Sequence, residues 1–482
     1  MPSMLRRPWV TDIGFVLLLG LAMFGFSLAS PSIPGGDDAY RHVRFANRLV
    51  TETQAALADP WRLAYLWPKP VDVWFGYHLL LAPFTLFLPL IVAAKLVGSG
   101  VWAASVYAIL RLLDSLGIVW RHAWVILGVA GSGIVLYRAM LMRPFLLSLL
   151  LMILAARYTL EEKPVWLGIV SGLHAFSYSI FFFVGLPPLV YFLVRRSTRS
   201  FQLGVASAVG MAVGLSANPF FPENLKFSIA TALTRAGADV AVQLKAGGEV
   251  LPISGWWLAA SIPVLGAWGI AIVVMVARWK RQRPSPAQWL FFGISLAALL
   301  VSFRAARMFD YFVPFAAVMA GAVLGPLIPR NREKSAYAFG FAYLLCAASL
   351  VPALATVRSA PSVDRYRGAS EFLARQGGDG LVMNTAWQQY VFLYYWNPKS
   401  RYLTGMEPGL FYNLDRERYW LWRKLSDDLA DEAGVMAAFR DFGGTYLLVD
   451  RRGTPKLGEL MEGMVGVGEV FRDGEMSVFV RR

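Results

Sequence analysis

Cysteine is nearly absent: the 482-residue chain holds one, Cys346. No intrachain disulfide can form, so any domain outside a membrane must be held by packing alone. Charge is scarce as well, at 16% of residues against 57% hydrophobic, a balance too apolar for a soluble domain of ordinary surface-to-volume ratio. Histidine is rare, and His42 and His78 have no metal-like spacing to one another, so both read as hydrogen-bonding or interfacial residues. Internal repeats, low-complexity tracts and a continuous basic stripe are all missing. The formal net charge of +15 therefore does not point to nucleic acid, because it sits in small clusters between apolar runs.

Those clusters follow the positive-inside rule. Arg6-Arg7, Arg111 with Arg121, Arg157 with Lys163, Arg195-Arg196 with Arg199, Arg278 to Arg283 and Arg330 to Lys334 mark a cytoplasmic side. Apolar runs recur from Ile13 to Pro352. The expected fold is a polytopic α-helical membrane protein of about eleven spans, with about thirteen as the alternative count. The first run reads as a retained span rather than a secretory signal, since it outlasts a signal's apolar core and Pro31 follows at once. The N-terminus is then cytoplasmic, a long first loop (31–74) lies outside, and an odd number of spans places the C-terminal part on the same outer face of a plasma (inner) membrane. Parity makes part of Val73 to Leu113 interfacial or re-entrant. It also divides Val165 to Val194 into two short spans, with Gly185 and Pro187-Pro188 suiting a broken helix.

After Ala360 the composition becomes that of a globular domain of about 120 residues. The division is 1–356 for the transmembrane domain and 357–482 for an extracytoplasmic α/β domain. Strand-like Gly380 to Asn384, Thr445 to Asp450 and Met476 to Val480 alternate with helical Asp364 to Arg375 and Glu432 to Phe442.

Charges that break the topology rule carry the functional signal. The first loop reads Gly35-Gly36-Asp37-Asp38-Ala39-Tyr40-Arg41-His42-Val43-Arg44. The next outer loop, Tyr137 to Arg143, carries Arg138 and Arg143 and no acid; a later one carries Arg304, Arg307 and Asp310. Carboxylates beside several guanidiniums at a lipid surface suit a substrate with an anionic phosphate and a reacting group that needs a base. Adjacent carboxylates also suit a divalent ion, and Asp37 and Asp38 are the only candidates for one; simple capping of the following helix is the plainer alternative.

The block Asp37 to Arg44 resembles the first outer-loop motif of the GT-C superfamily of membrane glycosyltransferases, with the catalytic subunits of oligosaccharyltransferases closest. The resemblance extends to the odd number of spans, the long first loop and the C-terminal outer domain. It implies a sugar taken from a polyprenyl phosphate or pyrophosphate carrier, with Asp37 or Asp38 as base for the acceptor. Arg41, His42, Arg44, Arg138, Arg143, Arg304 and Arg307 are then the expected donor-binding set, and Glu223, in a proline-rich aromatic turn, the expected second carboxylate. The second-loop Asp-x-Glu of oligosaccharyltransferases is replaced by Tyr137 to Pro144, so the chain resembles members that use no metal: no cofactor is required, with Mg or Mn the only candidate cation. Ala386-Trp387-Gln388-Gln389-Tyr390 stands where those enzymes carry Trp-Trp-Asp-Tyr-Gly; without the Asp, sequon recognition is not implied, and Trp387, Gln388 and Tyr390 are expected to meet an acceptor that is a glycan, lipid or protein. Aromatic residues between Tyr390 and Trp422 are candidates for stacking on sugar rings, with core packing as their commoner use. The rival classes are a lipid-linked sugar transporter or flippase, a polymerase or ligase of another fold, and a non-catalytic lipid-glycan binding subunit.

Overall fold

The computed structural model describes residues 8–34, 38–235, 247–328, 339–340, 344, 346–348, 351, 354–355, 357, 362–377 and 380–482. Asp37 and the Arg330 to Lys334 cluster lie outside the described residues. The first half of the chain is helical: α1 (Pro8–Leu28), α2 (Ala39–Thr51), α3 (Thr53–Ala58), α4 (Phe75–Leu81), α5 (Leu90–Ser115), α6 (Arg121–Ala130), α7 (Gly133–Ala139), α8 (Phe145–Leu160), α9 (Pro164–Ser177), α10 (Leu186–Arg195), α11 (Thr198–Ala217) and α12 (Glu223–Arg235). Further apolar helices follow at Ile262–Arg278, Pro286–Ser302 and Phe309–Leu324.

Among the described residues, four helical segments are long and apolar enough to cross a membrane: Val10–Leu28, Leu90–Ser115, Thr198–Ala217 and Ala306–Leu327. The pair α6 and α7 qualifies as one further unit, bent by 79°. Six more apolar helices run 10–17 residues, short of the ~20 a straight span needs. Leu17, Leu18, Leu21, Val165 and Val213 are all exposed, an outward apolar surface that suits lipid. The run Val165 to Val194 is broken into two helices, as expected; the break precedes Pro187 and Pro188, and both lie in the first turn of α10, where a missing N–H costs no hydrogen bond.

Helices α9 and α11 are in backbone contact through paired glycines. A Cβ added at Gly210 would stand 2.0 Å from the carbonyl oxygen of Gly168, and one at Gly214 2.0 Å from that of Gly172. Gly210→Ala is expected to force the two helices apart at a cost of about 1–3 kcal/mol, read as a lower unfolding midpoint of the detergent-purified protein. An unchanged midpoint would mean that the two helices do not meet there.

The C-terminal part forms a five-stranded sheet of order β2-β1-β3-β5-β4, where β1 is Leu381–Asn384, β2 Arg401–Tyr402, β3 Tyr446–Asp450, β4 Val467–Arg472 and β5 Met476–Arg481. Strands β2, β1 and β3 are parallel, and β5 and β4 add antiparallel. Three strands and the helix Glu432–Phe442 fall close to where the sequence put them. Asp431 caps that helix through Gly434 N at 2.8 Å, and Gly443 ends it at φ +64°. The stretch Asp364 to Arg375 is a 3₁₀ turn followed by the helix Arg367–Arg375. Phe411, Tyr419 and Trp422, candidates for sugar stacking, are buried in the core beneath the sheet with Val435, Phe439 and Leu447.

The first loop is bound to this sheet. Ala64 N donates to Tyr402 O at 2.8 Å and Tyr402 N to Arg62 O at 2.8 Å, so the loop continues the sheet edge beyond β2. Arg48 donates to the Tyr394 hydroxyl at 2.9 Å, and Tyr40 packs on Phe392 and Tyr395. Helix α2 is thereby fixed between the helical domain and the sheet domain.

Candidate active site

Asp38 stands at the N-cap position of α2, but its backbone is already helical and its side chain makes no capping bond. Its carboxylate accepts instead from Arg41 Nε at 2.9 Å. Burial alone pushes the Asp38 carboxyl upward; Arg41 and Arg143 outweigh it and hold the group below its ordinary value. Arg41 is 2% exposed, lies over the Trp61 and Trp74 rings at 5.0 and 4.7 Å, and keeps Nη1 without a partner among the described residues. One turn on, the buried His42 has Nδ1 2.7 Å from His78 Nε2, and His78 Nδ1 is 2.7 Å from Asp72 Oδ2.

The opposing wall is built by the bend between α6 and α7. At Gly131 and Ser132 the chain turns, Ser132 Oγ accepts from Val135 N, and the short α7 delivers Arg138 inward. Arg138 Nε donates to both carboxylate oxygens of Asp310, at 2.8 and 2.9 Å. Its other nitrogens reach Glu249 Oε2 at 3.3 Å. Arg143 also bonds Glu249 Oε2, and Arg307 Nη2 donates to Oε1 at 2.6 Å. One carboxylate is thus held by three guanidiniums, a donor set matched to an oxyanion.

Between the two walls lies a cavity of about 440 Å³, lined by Asp38, Arg41 and His42 on one side and by Arg138, Arg143, Arg307 and Glu249 on the other. Trp387, Met406 and Glu407 of the C-terminal part close it from above, and Trp387 Nε1 has no partner among the described residues.

Several expected site residues are placed elsewhere. Arg44 donates to Tyr395 O at 2.5 Å and anchors α2 to the C-terminal part. Arg304 and Gln388 are exposed and do not line the cavity. Tyr390 is buried, its hydroxyl donating to Trp61 O at 2.6 Å. Glu223 begins α12, where it accepts from Trp67 Nε1 and Lys226 at 2.9 Å each, away from the cavity lining. Besides Asp38 and Glu407, the cavity holds the carboxylate of Glu249, which the sequence reading missed; the local signal for it is a lone acid after Gly247-Gly248.

The described residues do not fit a divalent ion. Asp38 is committed to Arg41, the second loop contributes guanidiniums, and no group of three or more His, Cys, Asp or Glu suited to an ion occurs among the described residues.

No family model matches the chain, and no curated relative matches it. Solved structures do. An oligosaccharyltransferase from Archaeoglobus fulgidus, crystallised with Zn and sulfate, superposes with TM-score 0.61 at 13% identity, covering 90% of this chain and 68% of its own. The arabinofuranosyltransferase AftD from Mycobacteria gives 0.60 at 14% identity over 97% of this chain, which spans only 41% of that longer protein. ArnT from Cupriavidus metallidurans, in the apo state, gives 0.59 at 13% identity, with 97% and 98% covered. The chain thus shares the fold of these three structures across nearly its whole length.

Proposed function

We propose that this chain of GT-C fold is a membrane glycosyltransferase that moves a sugar from a polyprenyl-(pyro)phosphate carrier to an acceptor on the outer face of the membrane. The observation that carries the reading is the convergence of Arg138, Arg143 and Arg307 on one carboxylate in a cavity that also holds Asp38 and His42. Donor phosphate oxygens take the place of the Glu249 carboxylate between Arg143 and Arg307. Arg138 stays with Asp310 and shapes the wall. As the sugar leaves, charge grows on phosphate, and guanidiniums already in position stabilise it without a proton. The acceptor hydroxyl enters between Asp38 and His42, and Trp387 offers an aromatic face to a sugar ring. In this reading the N-terminus is cytoplasmic, residues 1–356 form the membrane domain and 357–482 an outer domain.

The test is binding of undecaprenyl phosphate against undecaprenol to the purified protein in lipid nanodiscs. The phosphate is expected to confer at least about tenfold tighter binding, and Arg143→Ala and Arg307→Ala to lose about tenfold each, the lower end for a charge-assisted hydrogen bond. Equal affinity for undecaprenol would overturn the reading. Movement of the labelled lipid across proteoliposome bilayers without sugar release would favour a flippase instead.

A further inference from the structure

Asp72, His78 and His42 form a hydrogen-bonded chain that ends at the cavity. All three are buried, and each link is 2.7 Å. The proton positions follow from one end. With Asp72 ionised and His78 neutral, His78 Nδ1 donates to the carboxylate and His78 Nε2 is a lone pair. His42 Nδ1 must therefore donate to His78, and His42 Nε2 is left as an acceptor. Among the described residues Nε2 has no hydrogen-bond partner, and His42 is one of the residues that line the cavity.

Resting on the proposed sugar transfer, we propose that His42 Nε2 takes the proton of the acceptor hydroxyl, with His78 and Asp72 as positioning residues that fix its tautomer. The acceptor oxygen bonds to the anomeric carbon while the bond from that carbon to the phosphate oxygen breaks, its electron pair staying on phosphate. The hydroxyl proton passes to Nε2 and is released to water as product leaves.

The surrounding charges act on Asp38 and His42 alike. Asp38 shares Arg41 and is held below the ordinary carboxylate range. Facing His42 are Arg41 from its own helix, His78 backed by Asp72, and Arg143 from the second loop, with Asp38 at the N-cap of that helix lining the same cavity. Burial, then Arg41, His78 and Arg143, hold the imidazole well below its usual range, so it is neutral and weakly basic in the free protein. A donor phosphate bound to Arg143 offsets that positive field and strengthens the base only when the sugar is in place.

The chain has four histidines, so ¹⁵N NMR of the purified protein can follow each, with His42 assigned by its loss in His42→Gln. The expected ligand-free spectrum at neutral pH has His42 protonated at Nδ1 and bare at Nε2. Saturating farnesyl phosphate, a soluble probe, is expected to raise its titration midpoint by about one pH unit. His42→Gln should bind farnesyl phosphate within about threefold of the original protein yet transfer sugar about a hundredfold more slowly. An Nε2–H tautomer overturns the relay; a titration unmoved by bound farnesyl phosphate, or unimpaired transfer by His42→Gln, overturns the proton role. Failure of farnesyl phosphate to bind overturns the donor reading, and the ligand-free tautomer still decides the relay.

Discussion

Arg138→Met is expected to lower the stability of the folded protein by about 3–5 kcal/mol, the usual penalty for leaving one member of a buried ion pair alone. Asp310 is 1% exposed, and Arg138 supplies both of the hydrogen bonds that satisfy its carboxylate. Without Arg138 the negative charge keeps Arg143 at longer range and the first turn of the helix Phe309–Leu324, and a helix terminus contributes at most about 2 kcal/mol. Adding Asp310→Asn to Arg138→Met should restore most of the loss, because removing both charges of a buried pair is often neutral. Arg138→Lys should fall between, since an ammonium cannot reproduce the planar fork. Equilibrium unfolding in mixed micelles measures the set. A single Arg138→Met within about 1 kcal/mol of the original protein would show that the pair does not hold this wall.

The same pair shows what the sequence conceals. Arg138 and Asp310 are each visible as outer-surface charges, but 172 residues separate them. Without that contact, Arg138 reads as a free phosphate ligand; the structure makes it mainly a structural cation that borders the cavity. Glu249 was illegible for a related reason: its meaning comes from arginines of two other loops, and no local spacing encodes it. Legible features were those set by local pattern. The strands near Val382, Leu447 and Val478 are short apolar runs buried over most of their length, and the helix before Gly443 carries its own cap and stop. Strand β4 was missed because Gly468, Glu469 and Arg472 dilute its apolar pattern, and β2 because two residues carry no period.

His42 and His78 lie between these cases. Their separation in sequence hid that the first loop folds back so the two rings meet 5.0 Å apart, walled by Trp61, Trp74 and Tyr77. Apolar aromatic walls exclude water and so favour the neutral form of each ring over the charged one. Tyr390 belongs to the same support: it was expected to meet the acceptor, but its hydroxyl holds the Trp61 carbonyl, which fixes the loop that carries the relay.

Asp38→Asn is expected to slow sugar transfer by about a hundredfold while donor affinity holds or rises. The exchange keeps shape and removes charge. Arg41, buried over two tryptophans, then lacks its counter-ion and turns its full charge on the cavity. A phosphate in the cavity gains from that change, but His42 faces a stronger cation at the moment it must accept a proton, so turnover falls where binding does not. Stability should respond to pH in a direction that identifies the carboxylate. Because its folded-state pKa is depressed, Asp38 stabilises the fold above its unfolded value, about 3.9, and loses that contribution as pH falls through the lower folded value. The stability gap between the original protein and Asp38→Asn should therefore be constant from neutral pH down to about pH 4 and close below it. A gap that stays open in acid would place the stabilising group elsewhere, and with it the reason that Arg41 points where it does.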